Sequence, residues 1–361
     1  MTLYEKFVGA SRDDFLSMKD AQKNYKLTWN DDFNFAYDVV DELGRTKPDK
    51  RALVWVGNDG EERTFTFADM MRESNRAANY FKYIGVKKGD AVLLVLRRSY
   101  LFWFCILGLH KIGAIAVCAT DMLKSKDYIY RCNSAKIKYA IITGYGEATE
   151  AFDEHKEQYE TIKKKFVTMH KDAGPDWIDF EDGFYTADTD WVRPTGKQAT
   201  KADDIMLLAF TSGTSGYPKI LTHDFKYPLG HIMTAVFWQR VVDGGLHLSI
   251  SDTGWLKAMW GKLYGQWLGE SAIMVYDFDR FDPEKMLALL EKYRITTFCA
   301  PPTMYRMMLQ KDVKSYDLSS ITHCCTAGEA LNPEIFNKWY EATGLKMYEG
   351  FGQSETPVCI A

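Results

Sequence analysis

Leu207-Leu208-Ala209-Phe210-Thr211-Ser212-Gly213-Thr214-Ser215-Gly216-Tyr217-Pro218-Lys219 is the most informative stretch of this 361-residue chain. An apolar run enters six consecutive Thr, Ser and Gly residues, and a Pro and a Lys follow. Glycines let the backbone approach a ligand closely, and hydroxyls with backbone N–H groups can wrap phosphate oxygens. Lys219 adds a point charge for those oxygens. A bare Ser/Gly tract would read as a flexible linker. Here a strand of buried type leads in and Pro218-Lys219 closes the stretch, so a phosphate-binding loop is the better reading. The pattern G-x-x-x-x-G-K-[ST] is not met, because Pro218 stands five residues after Gly213 and Ile220 follows the lysine. A kinase or P-loop NTPase is therefore disfavoured.

Outward from this loop, apolar strands alternate with helical patterns. Downstream, strands are expected at Leu246–Ser249, Ser271–Tyr276, Ile295–Ala300 and Ile321–Thr326, with helices at Pro283–Tyr293 and Pro333–Thr343. Upstream, Asn58-Asp59-Gly60 turns a hairpin that ends at Arg63–Phe65. Thr66 and Asp69 resemble a capping box. The helix they open presents Phe67, Met70, Met71, Ala77, Ala78 and Phe81 and closes at Gly85. Ala91–Leu96, Ala114–Cys118 and Tyr139–Thr143 read as strands, Tyr100–Ile112 as a helix and Glu150–Lys165 as a solvated surface helix. Residues 171–204 are the most loop-like. We expect a lead-in over 1–50, a first α/β sublobe over 51–204 and a second over 205–361. The fold class is α/β, a parallel sheet architecture with helices on its faces.

Two further strings fall at the ends of expected strands, where open α/β sheets bind ligands. They are Thr326-Ala327-Gly328-Glu329-Ala330-Leu331 and Tyr348-Glu349-Gly350-Phe351-Gly352-Gln353-Ser354-Glu355-Thr356. Each alone is an ordinary turn; three in order are much harder to obtain by accident.

Composition narrows the classes. Apolar residues at 46% and charged residues at 26% exclude a disordered or collagenous chain. A net charge of −4 gives no footprint for nucleic acid. The seven cysteines contain no C-x-x-C pair, so neither a zinc site nor a dithiol motif is indicated, and a reducing compartment, the cytoplasm, is expected. The longest apolar run, Tyr100–Leu109, is too short to span a bilayer. No Gly-x-Ser-x-Gly elbow occurs, which disfavours an esterase. His223 could face a ligand near the loop, but a structural histidine is as good a reading. Asp277, Asp279 and Asp282 lack the rest of an EF-hand and read as a loop with Asp282 as N-cap.

Together the three strings resemble the AMP-forming acyl-CoA synthetases of the adenylate-forming superfamily, from Thr64–Phe67 onward. Ser251-Asp252-Thr253-Gly254-Trp255 is similar to the medium-chain and related short-chain branch. The resemblance implies a large N-terminal domain of two helix-flanked sheets plus a distorted barrel. Most of that barrel, and a mobile C-terminal domain, would lie beyond Ala361. It implies that Thr211, Ser212, Gly213, Thr214, Ser215, Gly216 and Lys219 grip the triphosphate. Gly328, Glu329 and Ala330 would line the adenine pocket, Phe351 would lie against the ring, and Glu349, Gly350, Gly352 and Gln353 would complete that nucleotide-binding string. Ser354 stands where most relatives have Thr and keeps a hydroxyl for the α-phosphate. Glu355 is the implied magnesium ligand, and Thr211, Lys219 and Glu355 the implied catalytic set. The cofactors implied are ATP and Mg²⁺, with coenzyme A as co-substrate.

The implied reaction is attack of a carboxylate on the α-phosphorus of ATP, followed by transfer of the acyl group to coenzyme A. By the same resemblance Trp255 lines the acyl pocket; with ten tryptophans in the chain, a core role competes. Acetate-specific relatives carry Trp where Gly352 stands, so a substrate longer than acetate is expected: propionate, a short or medium fatty acid, or an aryl acid. The expected partners are therefore a small carboxylic acid, ATP and coenzyme A, with no nucleic acid and no membrane span. Relatives continue past Ala361 with the hinge and the adenylation lysine, so a fragment that turns over poorly is expected. A binding module for nucleotide or acyl-adenylate is the alternative, and an enzyme that loads a carrier protein a third reading.

Overall fold

The structure is a computed structural model that describes residues 2–211 and 217–361. Among these described residues fifteen strands form two sheets. In chain order they are β1 Arg51–Val56, β2 Glu62–Thr66, β3 Ala91–Val95, β4 Ile115–Cys118, β5 Ile137–Ile142, β6 Lys164–Val167, β7 Trp177–Asp179, β8 Ile205–Thr211, β9 Lys219–Asp224, β10 Leu246–Ser249, β11 Ala272–Tyr276, β12 Thr297–Cys299, β13 His323–Ala327, β14 Met347–Gln353 and β15 Thr356–Ile360. One sheet has the order β7-β6-β5-β3-β4-β8-β9, the other β15-β14-β13-β12-β10-β11-β1-β2. Interior pairs are parallel, and the antiparallel edges are β9, β2 and β15. Fully buried parallel strands need helices on both faces, and the apolar runs supply the matching strand surfaces.

Sheet membership crosses residue 204 in both directions. Strand β1 pairs with β11, Leu53 opposite Ile273. Strand β8 pairs with β4, Leu207 opposite Ala116. Between the sheets lie the helices Phe67–Ile84 and Leu101–Ile112, whose side chains share one core with strands of both. The first is amphipathic and opens on the Thr66–Asp69 capping box, with Gly85 at its C-terminal end. The second is buried on every side, His110 and Lys111 included. Lys111 is tolerated there because its Nζ bonds Asp41 Oδ1 at 2.7 Å and Asn75 Oδ1 at 2.5 Å. The two helices touch at Gly108, where a Cβ would lie 2.5 Å from Ala77 Cβ and 2.9 Å from Ala78 N. Gly108→Val should therefore push them apart and cost roughly 1–3 kcal/mol, read as a lower denaturant midpoint at unchanged slope. An unchanged midpoint would contradict the packing described.

Three segments differ from the sequence reading. The expected helix Glu150–Lys165 ends at Asp153, and Lys164 and Lys165 open β6. Register with Tyr139 and Ala140 of β5 holds them there. Lys165 Nζ reaches Asp153 at 2.6 Å and Lys164 Nζ donates to Ile84 O at 3.2 Å, so these two lysines are strand residues with partners rather than part of a solvated helix face. Within the loop-like stretch, Trp177–Asp179 forms an edge strand and Phe180–Phe184 a short helix, because Phe180 and Phe184 plug into the inter-sheet core. The string from Tyr348 is mostly strand, since β14 pairs with β13 as far as Gly350 and then folds back on β15. Among the described residues no helix is long and apolar enough to cross a membrane. All seven cysteines are free, six of them buried or half-buried.

Candidate functional site

The carboxyl ends of the two sheets face one another, and a cavity of about 460 Å³ opens there. The hairpin β8–β9 brings Thr211 opposite Lys219 on one wall. On another, the turn between β14 and β15 presents Gln353, Ser354 and Glu355. Gly254, Trp255, Leu256 and Met259 form an apolar wall with Cys118. The cavity thus joins a cation and a carboxylate to an apolar surface, which suits a ligand with a charged head and an apolar body. Ser212, Gly213, Thr214, Ser215 and Gly216 lie outside the described residues.

His223 does not face this cavity as a free base. Its Nε2 bonds the carbonyl of Ser354 at 2.9 Å, and its ring stacks on Tyr227 with centroids 3.8 Å apart. Burial pushes its pKa down, with the Ser354 carbonyl opposing. The histidine therefore anchors the Ser354–Glu355 turn to β9. Glu355 itself is exposed and, among the described residues, has no cation partner. A carboxylate that shares a cavity with Thr211 and Lys219 has the chemistry to hold a hard divalent ion, which prefers oxygen ligands.

Trp255 is 60% exposed, so it is a wall and not a core tryptophan. Its turn, which follows β10, is gripped by residues that follow β3 and β4 of the other sheet. Asp252 accepts Arg98 Nη1 on one oxygen and Gly254 N on the other, each at 2.8 Å. At Gly254 a Cβ would lie 2.2 Å from Thr120 N, so only glycine lets the turn close onto the end of β4. From beneath, Lys262 Nζ donates to Ser251 O at 2.8 Å. Burial pushes the Lys262 pKa down to about 7, chiefly because the ammonium has left water. Asp277 and Asp279 bind Arg97, and Asp282 caps its helix, so that acidic group is structural.

The remaining expected residues lie apart. Glu329 and Ala330 line a separate cavity of about 410 Å³ with Thr303 and Arg306. Thr303 Oγ1 donates to Glu329 Oε2 at 2.7 Å. Glu349 accepts Leu331 N at 2.9 Å, which ties the loop after β13 to β14. Gly328 takes a left-handed φ of +102° at the mouth of that loop. Gly350 is buried in β14, Gly352 pairs opposite Val358, and Phe351 is 56% exposed. Among the described residues, Gly328, Glu349, Gly350, Phe351 and Gly352 line neither cavity. A larger cleft of about 830 Å³ between Lys82–Lys88 and Asp190–Gln198 contains none of the expected site residues. His170, Asp179 and Asp182 also meet within 4.8 Å at the surface, but Asp179 is already engaged as a helix N-cap.

Sequence reasoning missed Arg98 and Arg131. Arg131 lines the main cavity from helix Ser125–Ser134, where its spacing reads as an ordinary polar helix position. Arg98 has no local motif, because its partners lie more than 150 residues away.

The family described as "AMP-binding enzyme" matches residues 40–361. The human protein named acyl-coenzyme A synthetase ACSM3, mitochondrial, is 32% identical over 354 residues, 96% of this chain and 59% of its own length. Human acyl-coenzyme A synthetase ACSM5, mitochondrial, is 33% identical over 91% of this chain and 57% of its own. The chain thus spans less than two thirds of these relatives. The anthranilate CoA ligase AuaEII, solved with anthranoyl-AMP, superposes with a TM-score of 0.79 at 27% identity, covering 91% of this chain and 61% of that one. The Brucella canis acyl-CoA synthetase shares the fold at a TM-score of 0.82 and 21% identity, covering 96% and 62%. With two helix-flanked sheets, a charged and apolar cavity at their carboxyl ends and a family match over nearly the whole length, the chain belongs to the AMP-binding enzymes.

Proposed function

We propose that this chain activates a carboxylic acid longer than acetate as its acyl-adenylate, using ATP, and that the acyl group then passes to coenzyme A. The observation that carries the reading is the cavity in which Thr211, Lys219 and Glu355 meet the apolar wall of Trp255, Leu256 and Met259. The similar chains named as acyl-coenzyme A synthetases, and the ligase solved with anthranoyl-AMP, support it.

The attacking group is a carboxylate, already an anion, so no general base is needed. A carboxylate oxygen bonds the α-phosphorus while the bond to pyrophosphate breaks. In the second step a thiol sulfur bonds the acyl carbon and AMP leaves. The work left to the protein is positioning and charge neutralisation. Lys219 supplies positive charge, Thr211 and Ser354 supply hydroxyls, and Trp255 holds the apolar part of the acid. Glu355 would hold Mg²⁺, which when bound neutralises phosphate charge. Phe351, with Gly328, Glu329, Ala330, Glu349, Gly350, Gly352 and Gln353, would form the adenine side, its exposed ring free to take a base on its π-face. The seven free cysteines support a place in a reducing compartment such as the cytoplasm.

The test is acid-dependent exchange of pyrophosphate into ATP by the 361-residue chain. Acetate, butyrate, hexanoate, octanoate and benzoate form the series, with thioester formation measured on adding coenzyme A. Exchange with an acid longer than acetate is expected. ATP binding without exchange for any acid would leave only a binding module. A strong preference for acetate would overturn the substrate class.

A further inference from the structure

Arginine side chains at the carboxyl ends of the strands have different fates. Arg97 is paired with Asp277 and Asp279, and Arg98 with Asp252. Arg131 has no carboxylate partner within 4.0 Å among the described residues. Its Nε is buried without a hydrogen bond among the described residues, although the side chain lines the cavity. Its guanidinium carbon stands 4.9 Å from the centre of the Phe210 ring, at the residue before Thr211. Burial pushes its pKa down, only partly offset by Asp127. A cation taken from water without a counter-ion is costly, and the cost falls when an anion arrives.

The neighbouring residue says where the anion sits. Tyr130 OH donates to Pro218 O at 2.8 Å, and the Tyr130 ring stacks on Tyr217 with centroids 4.6 Å apart. One turn of helix thus grips the chain on both sides of the loop: Arg131 at Phe210, Tyr130 at Tyr217 and Pro218. The guanidinium fork matches phosphate oxygens, which a lysine meets only as a point charge. We propose that Arg131 is a phosphate-binding residue that takes the β- and γ-phosphates of the nucleotide, opposite Lys219. This rests on the adenylating activity proposed above, and the residue would also bind the pyrophosphate released.

Arg131→Met keeps the apolar stem over Phe210 and removes the charge, and Arg131→Lys keeps the charge and removes the fork. Titration calorimetry with ATP, inorganic pyrophosphate and AMP tests the assignment. For Arg131→Met the affinity for ATP and pyrophosphate should fall about ten- to a hundredfold, as a lost charge-assisted bond predicts, with AMP within about twofold of wild type. Arg131→Lys should recover part of the loss, and carries the comparison alone if the Met variant does not fold. Unchanged ATP and pyrophosphate affinities overturn the proposal, and so does an equal loss for AMP. A raised KM for the acid alone would also overturn it, assigning Arg131 to the substrate carboxylate. Exchange activity with normal Arg131 variants sinks this inference alone. Pyrophosphate binding through Arg131 without exchange for any acid sinks the activity alone. A wild-type chain that binds neither ATP nor pyrophosphate sinks both.

Discussion

Glu355→Gln should lower acid-dependent pyrophosphate exchange by about a hundred- to a thousandfold, the typical cost of one preorganised charge-stabilising group. The substitution keeps size and shape and removes one negative charge. Glu355 is exposed on the turn between β14 and β15, and the bond that holds this turn, His223 Nε2 to Ser354 O, uses the neighbouring backbone. Stability should accordingly stay within about 0.5 kcal/mol of wild type. The variant should also need more Mg²⁺ for half-maximal exchange. A rate within about threefold of wild type, at any Mg²⁺ concentration, would remove Glu355 from the machinery.

Mild acid should unfold the protein. His110, His231 and His247 are fully buried, and burial pushes each pKa down to about 3. Each ring has one neutral partner: Tyr264 OH at 2.9 Å, Thr234 Oγ1 at 3.2 Å and Thr297 Oγ1 at 2.7 Å, respectively. Unfolded, each titrates near 6.5. Between about pH 6 and pH 4 the unfolded chain therefore binds three protons that the folded chain refuses, and stability falls as pH falls. At about 1.36 kcal/mol per pH unit for each group, three histidines remove about 4 kcal/mol per unit. Asp41, Glu181 and Asp277, whose carboxyls burial pushes up, act in the opposite sense and trim the slope at its lower end. Two to three units below pH 6.5 thus remove about 8–12 kcal/mol, which unfolds a domain whose stability lies in the lower two thirds of the usual range of about 5–15 kcal/mol. Calorimetry at pH 5.5 in buffers of different ionisation enthalpy should report uptake of about two to three protons on unfolding. Uptake of less than about one would mean that these rings charge inside the fold.

Much of the fold is legible in the sequence because its signals are local. Thr66 with Asp69 opens a helix, Gly85 closes it, and Asp282 caps another, as residue type and spacing dictate. The buried strands are continuous apolar runs, and nearly all fall within a residue or two of the expected bounds. Signals that depend on distant partners are silent. Nothing near Leu53 says that Ile273 is its neighbour. Lys164 and Lys165 look solvated until Tyr139, Ala140 and Asp153 are placed beside them. Phe180 and Phe184 sit in a stretch rich in Gly, Pro and Asp, yet both are core residues. The same holds at the site. Thr211, Lys219, Trp255 and Gln353–Glu355 stand in strings that are visible locally, and they line one cavity. Arg98 and Arg131 do not announce themselves, since an arginine's role is set by which anion reaches it.

The crossing of strands between the two sheets has a consequence for synthesis. Leu53 leaves the ribosome about 220 residues ahead of its partner Ile273, which is about 10–40 s of translation at roughly 5–20 residues per second. For that time the hairpin β1–β2 carries an open parallel edge, and the first sheet likewise waits for β8 to cover β4. An uncovered apolar edge is where nascent chains stick to one another. The lead-in helices have emerged before this interval and the helix pair Phe67–Ile84 and Leu101–Ile112 emerges within it, and together they must hold both incomplete sheets until the later strands arrive. The unit of cooperative folding is thus nearly the whole length, and a ribosome paused near residue 204 would present two unfinished sheets rather than one finished half.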